Sequence, residues 1–541
     1  MPETTAVDRI RMQILWDRLL AIVEEQAQTL IRTAFSTTVR EAGDLSSGVF
    51  DTKGRMLAQA VTGTPGHVNA MAASVGFFLE RHPMATLEPG DVLVTNDPWH
   101  GTGHLNDFTV VTPVFRDRTP MALFAATSHI ADVGGLGFGP TGTQVFEEGI
   151  NLPIDHLFRA GEPNRSLLRI LRANVRDPVA AEGDLYSLAA CNRAGAQALL
   201  AALDEFGFDG LDDAGHWIIG TSRDAMLAEI RKLPAGRWRY GMQIDGYDEP
   251  VDLVCALTIH DDGIDIDFEG TSGVCHHGIN VPLTYTQAYA SFGARCVIGN
   301  DVPNNAGSLG VIRVRAPGGC ILNAERPAAV SARHVIGQML PDVVLGCLEE
   351  PLGGRVPVEG AACLFGPVFL GGRGVIPGSK TEPFVFNAFY AGGTGARPGK
   401  DGLSCTAFPS GVRSTPVEIV ELSAPIVVWQ KEFRPDSGGA GEHRGGLGQI
   451  LEFGSLTGEA FAVSKMFDRI GHPPRGRDGG GPGAAARLYI RNGDTLAGMG
   501  RDVIPAGHTM VLETAGGGGR GDPARRDPAA IDDDKKNGLI T

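Results

Sequence analysis

Two imidazoles and two carboxylates fall within the twelve residues Asn96-Asp97-Pro98-Trp99-His100-Gly101-Thr102-Gly103-His104-Leu105-Asn106-Asp107, a density of ligand chemistry that no other window of the 541-residue chain matches. His104 and Asp107 stand three residues apart, so one nitrogen and one carboxylate oxygen can grip the same divalent ion and leave positions open for water or substrate. Apolar runs flank the stretch, Val92-Leu93-Val94 before it and Phe108 to Phe115 after it, and it therefore reads as a loop carried between buried strands. A further apolar run, Met121 to Ser128, follows the turn Arg116 to Pro120. An antiparallel hairpin centred on Arg118 places His129 opposite Asp107 and brings another imidazole back to the loop. The expected ligand set is His104, Asp107 and His129, holding zinc or manganese. Asp132 and His100 are the candidate acid or base groups, and Asp97, Glu41, Asp44 and His334 the candidate supporting or substrate-contacting residues.

Other chemistries find little footing. Cys275-His276-His277 offers soft ligands, yet adjacent side chains in an extended segment point to opposite faces and cannot all hold one ion. Thr394 to Lys400 ends in Gly-Lys like a phosphate loop, but Thr394 stands where the first Gly belongs and Asp401 where Ser or Thr should follow. Gly516 to Gly521 fits a dinucleotide fingerprint only by being almost all glycine, and Asp522-Pro523 follows instead of a helix; both stretches read as turns. ATP is therefore not expected to bind this chain. There is no G-x-S-x-G elbow and no C-x-x-C pair among the eight scattered cysteines, which read as reduced, mostly buried thiols.

The elements that must position the loop follow from periodicity. From Asp8 to Ala34, Ile10, Ile14, Leu15, Leu19, Ile22, Val23 and Leu30 recur at three- and four-residue spacing and predict an opening helix. Val49 to Ala58 reads as a hairpin, Val68 to Glu80 as a helix, and Pro163 to Phe206 as largely helical until Gly207. Another helix ends near Lys232, and Leu233-Pro234-Ala235-Gly236 then marks a boundary. Strand patterns follow, including the alternating Ile264-Asp265-Ile266-Asp267, with helices expected over Thr284 to Gly299 and Ala329 to Glu349. Short strands and Gly-rich turns run on to Gly521. The expected architecture is α+β and multidomain, with mixed sheets, flanking helices and a Gly-rich, β-dominated C-terminal part. Its expected divisions are residues 1–235 for the metal-site domain, 236–408 for a central α/β domain and 409–541 for a β-rich domain.

Glycine, at 75 residues, is present at about twice its usual share, which suits a loop-heavy enzyme better than a helix bundle. A net charge of −16 without any Lys/Arg block argues against nucleic acid or anionic lipid as the main partner. Neither a signal peptide nor a run of about 18 apolar residues is readable, so the expected location is the cytoplasm, with no membrane contact.

With these residues in place, the chain resembles the hydantoinase B/oxoprolinase family, which includes the B-type component of ATP-dependent N-methylhydantoinase and related subunits of acetone and acetophenone carboxylases. The likeness runs nearly end to end: Arg32-Thr33-Ala34-Phe35-Ser36, Asn96-Asp97-Pro98 with His104 and Asp107, Phe146-Glu147-Glu148-Gly149, Gly183-Asp184-Leu185, and Gly278-Ile279-Asn280-Val281-Pro282. It continues through Arg413 to Glu418, Arg434 to Gly441 and the terminal Gly-rich Gly-Asp-Pro. Where the family often has Tyr-His-Gly-Gly-Thr-His, this chain has Trp99-His100-Gly101-Thr102-Gly103-His104. The resemblance implies a hetero-oligomer in which an A-type, ATP-binding subunit phosphorylates a cyclic amide and the B-type chain completes ring opening at a metal. It also implies that the metal falls on His104, Asp107 and His129. A ketone carboxylase subunit and a non-catalytic scaffold for the A-type subunit are the alternative readings.

Overall fold

A computed structural model describes residues 6–61 and 63–541. The chain opens with α1 (Ala6–Thr33), the short α2 (Thr37–Arg40), β1 (Leu45–Phe50), β2 (Met56–Gln59) and α3 (Pro65–Arg81). Then come β3 (Val92–Thr95), β4 (Asp107–Arg116), β5 (Thr119–His129), β6 (Asp155–Arg159) and β7 (Glu162–Pro163), followed by α4 (Arg165–Asn174), α5 (Pro178–Phe206) and α6 (Asp212–Ile230). The seven strands form one antiparallel sheet in the order β2-β1-β5-β4-β3-β6-β7. Helices cover both faces, which is why β4 and β5 read as unbroken apolar runs and not as an alternation. Phe108, Val110, Phe124 and Ala126 pack with α1 and α5, while Val111, Leu123 and Ala125 pack with Met71, Val75 and Phe78 of α3.

The β4–β5 register is the one expected, but a bulge produces it. The connection is a two-residue turn, Asp117-Arg118, with both φ values positive at 53° and 84°. Such a turn alone would leave Asp107 opposite Ser128. A one-residue irregularity between Val114 and Phe115 shifts the ladder, and from Val114↔Ala122 onward the pairing runs to Asp107↔His129.

The middle of the chain contributes β8 (Gly236–Ile244), β9 (Val251–His260), β10 (Gly263–Asp267), α7 (Leu283–Arg295), α8 (Ala306–Leu309), β11 (Ile312–Arg315), α9 (His334–Gly337) and α10 (Leu340–Leu348). Its sheet, β11-β10-β9-β8, is mixed, with β10 and β11 parallel. The single helix expected over Ala329 to Glu349 is two short ones. Residues before His334 are not helical because their N–H groups are taken elsewhere: Val330 and Ser331 donate to Glu148 Oε1, both at 2.8 Å, and Ala332 donates to the Gly278 carbonyl at 2.7 Å.

Three further sheets complete the protein. They comprise β12 (Leu364–Phe365), β13 (Val368–Gly371), β14 (Phe384–Asn387), β15 (Tyr390–Ala391), β16 (Ile426–Phe433), β17 (Gln449–Ser455), β18 (Phe461–Met466), β19 (Arg487–Ile490), β20 (Met499–Ile504) and β21 (Met510–Glu513). Two helices, α11 (Val417–Ser423) and α12 (Pro528–Lys536), accompany them, and neither was expected from periodicity. One apolar core runs from the central sheet into these sheets. Gly516 to Gly519, expected as a turn, are instead buried between other glycine-rich backbones. Gly517 N donates to Gly446 O at 2.9 Å, Gly439 N to Gly517 O at 2.8 Å and Gly519 N to Gly481 O at 2.9 Å. A Cβ on Gly516 would lie 1.8 Å from the Ser437 oxygen, so these backbones touch with no side chain between them. Among the described residues, no helix is long and apolar enough to cross a membrane.

Candidate metal centre

The loop between β3 and β4 is fixed at its ends before it presents anything. Asn96 donates to the Leu105 and Ile150 carbonyls at 2.7 and 2.9 Å and accepts from Leu152 N at 2.7 Å, closing the loop on itself. Asn106 binds the Ile130 carbonyl at 2.9 Å and thereby locks the loop to the end of β5. Asp107 has the same parity on β4 as Thr109 and Val111, so its carboxylate points to the face that α3 covers. There it meets His129 from β5 and, from the first turn of α3, His67.

The Asp107 carboxylate, fully buried, is the hub. Its Oδ1 lies 2.6 Å from His104 Nε2 and 3.3 Å from His129 Nδ1. Its Oδ2 accepts from Thr102 Oγ1 at 2.6 Å, from His67 Nε2 at 2.8 Å and from the Arg333 guanidinium. Arg333 also donates to the Thr102 carbonyl at 2.7 Å and lies over the Tyr285 ring. Gly103, at φ +99°, makes room for this: a Cβ there would stand 2.6 Å from Arg333 Cδ. The Gly-Thr-Gly order of this chain thus places a hydroxyl on Asp107 and an unobstructed backbone beside Arg333. Burial alone would raise the Asp107 carboxyl, but the His104 and His67 imidazoles and Arg333 hold it well below the usual carboxylate range.

The donor set suits a cation. One nitrogen from each of His104 and His129 and one Asp107 oxygen lie within 4.8 Å of one another, all buried. Metal bonds of about 2.1 Å in a tetrahedral site put donor atoms about 3.4 Å apart, close to the His129–Asp107 separation. The tautomer adds a second argument. His104 Nδ1 faces the Ser331 carbonyl at 2.9 Å and must carry a proton to donate to it. Burial, then the Arg333 charge, push the His104 pKa down to about 4 in spite of Asp107, so Nε2 carries no proton near neutrality. An unprotonated Nε2 at 2.6 Å from a carboxylate oxygen sets lone pair against lone pair, and a shared cation relieves that.

His104 and His129 line a cavity of about 30 Å³ to which distant parts of the chain contribute: Tyr285, Arg333 and His334 from the middle, Leu364, Phe389 and Val412 from beyond. Phe138 packs its ring on His104, His129 and His334, with centroids 5.6, 5.0 and 5.7 Å away. Of the expected supporting residues, Asp44 and His334 line this cavity. Asp44 accepts from Thr64 Oγ1 at 2.8 Å and stands 3.4 Å from His67 Nδ1. Burial lowers the His67 pKa, but the Asp107 and Asp44 carboxylates outweigh it and raise it overall. His334 is held well below its ordinary value by burial and the Arg333 charge.

The other expected residues lie outside the cavity. His100 is half exposed and packs on Phe77, and Asp97 accepts from the Trp99 and His100 N–H groups and pairs with Arg326, which makes it a brace of the loop. Asp132 caps Gly134 N and pairs with Arg176 in a separate cleft of about 890 Å³. Glu41 ends α2. His277 stacks on Tyr247, apart from any such cluster. His67 and Arg333 belong to the centre and were missed. Pro65 in the first turn of α3 was the readable signal for His67, because proline favours that position. Arg333 reaches Asp107 across 226 residues of chain, and no local signal marks it.

The Hydantoinase B/oxoprolinase family profile matches residues 8–523. A Pseudomonas sp. protein, provisionally described as the B-type component of a D-/L-hydantoinase, is 28% identical over 564 residues, covering 99% of this chain and 93% of its own. The ATP-dependent caprolactamase from Pseudomonas jessenii shares the fold, with a TM-score of 0.86 at 22% identity over 99% of this chain and 95% of that one. So does a nucleotide-free acetone carboxylase, with a TM-score of 0.87 at 20% identity over 98% of this chain and 78% of that one. A family match over nearly its whole length leaves one conclusion: the chain belongs to the hydantoinase B/oxoprolinase family.

Proposed function

We propose that this chain is the metal-dependent B-type subunit of an ATP-dependent cyclic-amide hydrolase, opening a ring amide that an A-type partner has phosphorylated. The observation that carries the reading is the buried His104-Asp107-His129 donor set beside His67 and Arg333. His104, Asp107 and His129 would hold a divalent ion, zinc or manganese, which would supply Lewis acidity for the ring opening. Asp107 contacts His104, His129, Thr102, His67 and Arg333, so its charge fixes both the ligands and Arg333. His67 donates through Nε2 to Asp107 and stands 3.4 Å from Asp44 through Nδ1; the two carboxylates favour its protonated form, which would give a proton to the ring nitrogen as the amide opens. That role falls to His67 because His100 and Asp132 lie outside the cavity. Phe138 and Tyr285 exclude bulk water, which strengthens each electrostatic contact inside. ATP would be consumed on the partner, consistent with the lack of a phosphate-loop pattern in this chain, and the pair would work in the cytoplasm.

Reconstitution of the chain with an A-type subunit, ATP and a panel of cyclic amides tests the proposal. Ring opening and bound metal should both disappear in His104→Ala and His129→Ala variants, and full activity in a metal-free double variant would refute it. Labelled bicarbonate with ketones in the same mixture separates hydrolysis from carboxylation, since label in a product would favour the carboxylase reading. A chain that binds no metal and only stabilises its partner would instead be a scaffold.

A further inference from the structure

Well away from the triad, two more imidazoles and a carboxylate converge where the C-terminal end of α3 meets β6. His82 caps α3, its N–H donating to the Phe78 carbonyl at 2.8 Å. Asp155 and His156 open β6, which pairs with β3 through Val94↔Asp155 and Leu93↔His156, and a bulge at Leu157 re-aims the strand just beyond them. One donor atom from each of His82, Asp155 and His156 lies within 4.8 Å of the others. The two rings stand edge to face, 4.9 Å between centroids. His82 Nε2 is buried without a hydrogen-bond partner, while the ring's other nitrogen serves the Ile154 backbone. The nearby Asp91 does not satisfy it: Asp91 accepts the N–H groups of Ala160 and Glu88, both at 2.8 Å, and stands 3.7 Å from His156 Nε2.

We propose that His82, Asp155 and His156 form a second divalent-metal site, separate from His104-Asp107-His129. Two neutral imidazoles and one carboxylate favour zinc-like ions over magnesium or calcium, which take oxygen ligands. A ring nitrogen held on a backbone carbonyl with its opposite nitrogen free is the arrangement a metal-binding histidine adopts. Asp155 is more than half exposed, so the site faces solvent and the ion would exchange freely instead of serving an enclosed substrate. Its effect is mechanical: the ion ties the end of α3 to β6, about 22 Å along the helix from His67.

The test uses the full chain, stripped with a chelator and dialysed against zinc. Wild type should retain one equivalent more than His82→Ala/His156→Ala, whatever the triad binds. Equal stoichiometry in the two proteins overturns the proposal. Asp155→Asn, a change at an exposed side chain, guards against misfolding of the double variant. Its affinity for that equivalent should fall at least ten-fold, and an unchanged affinity likewise overturns the site.

Discussion

Asp107→Asn removes one charge from the centre and almost no volume. The carboxylate is fully buried, and Arg333, 2% exposed, would be left with the Thr102 carbonyl and the face of Tyr285 as its partners. Neutralising one side of a buried ion pair strands the other at a cost of about 3–5 kcal/mol. Removing both charges, in Asp107→Asn/Arg333→Met, should return most of that stability, because an apolar chain tolerates the site that an unpaired guanidinium does not. A chain of this size need not unfold in one transition, so the assay is amide exchange along β4 and β5 in chelated protein, which reports the local opening free energy. At about 1.4 kcal/mol per decade, exchange should accelerate by roughly two to three and a half decades in the single variant. The double variant should lie within about one decade of wild type by the same conversion. Acceleration of less than about ten-fold in Asp107→Asn, or strictly additive effects of the two substitutions, would refute the hub role of this ion pair.

Further outcomes follow from the same geometry. Gly103→Ala should displace Arg333 and strain a left-handed backbone, lowering metal affinity by about 10- to 100-fold; unchanged affinity in a chelator competition counts against it. Glu148 is buried and its pKa is pushed up to about 8 although it accepts the Val330 and Ser331 N–H groups. The folded state then holds a proton that the unfolded chain releases near its ordinary value of 4.5, so stability should fall as pH rises between about 4.5 and 8, by up to about 5 kcal/mol. Glu148→Gln should flatten that slope in denaturation measured across pH, and an unaltered slope would exclude Glu148 as its source. Gly516→Ala should lower the melting temperature sharply, whereas Gly76→Ala, on α3 with open space around it, should raise stability by about 1 kcal/mol; similar effects at the two positions would refute the packing argument.

The triad was legible because its information is local: a His-x-x-Asp loop between apolar runs, and a hairpin short enough for its register to be drawn. Even so, the expected pairing centre succeeds only with the bulge at Val114–Phe115, which no residue type announces. His67 was within reach, but starting α3 at Val68 left it in a turn. Gly66 lies in the first turn of α3, where glycine lowers helix propensity. Here it is needed because a Cβ would fall 2.5 Å from the Tyr289 ring. Arg333, Tyr285 and Phe389 depend on how remote segments dock, which periodicity does not encode. His100 and Asp132 counted as candidates by proximity in sequence, and their side chains turn instead to Phe77 and Arg176.

The glycine-lined corner has a kinetic meaning. Gly516 to Gly519 bond to backbones from Glu359, Gly446 and Gly481, segments far apart in the chain. Few side chains stand at these contacts, Val358 beside Gly518 among them, so little holds one pair of segments while the others arrive, and the corner is expected to form after the surrounding sheets. Interactions made that late are absent from the folding transition state, and strengthening or breaking them changes the unfolding rate far more than the folding rate. The corner would then set how long the native protein lasts once formed, a clasp on the fold that plays no part in finding it.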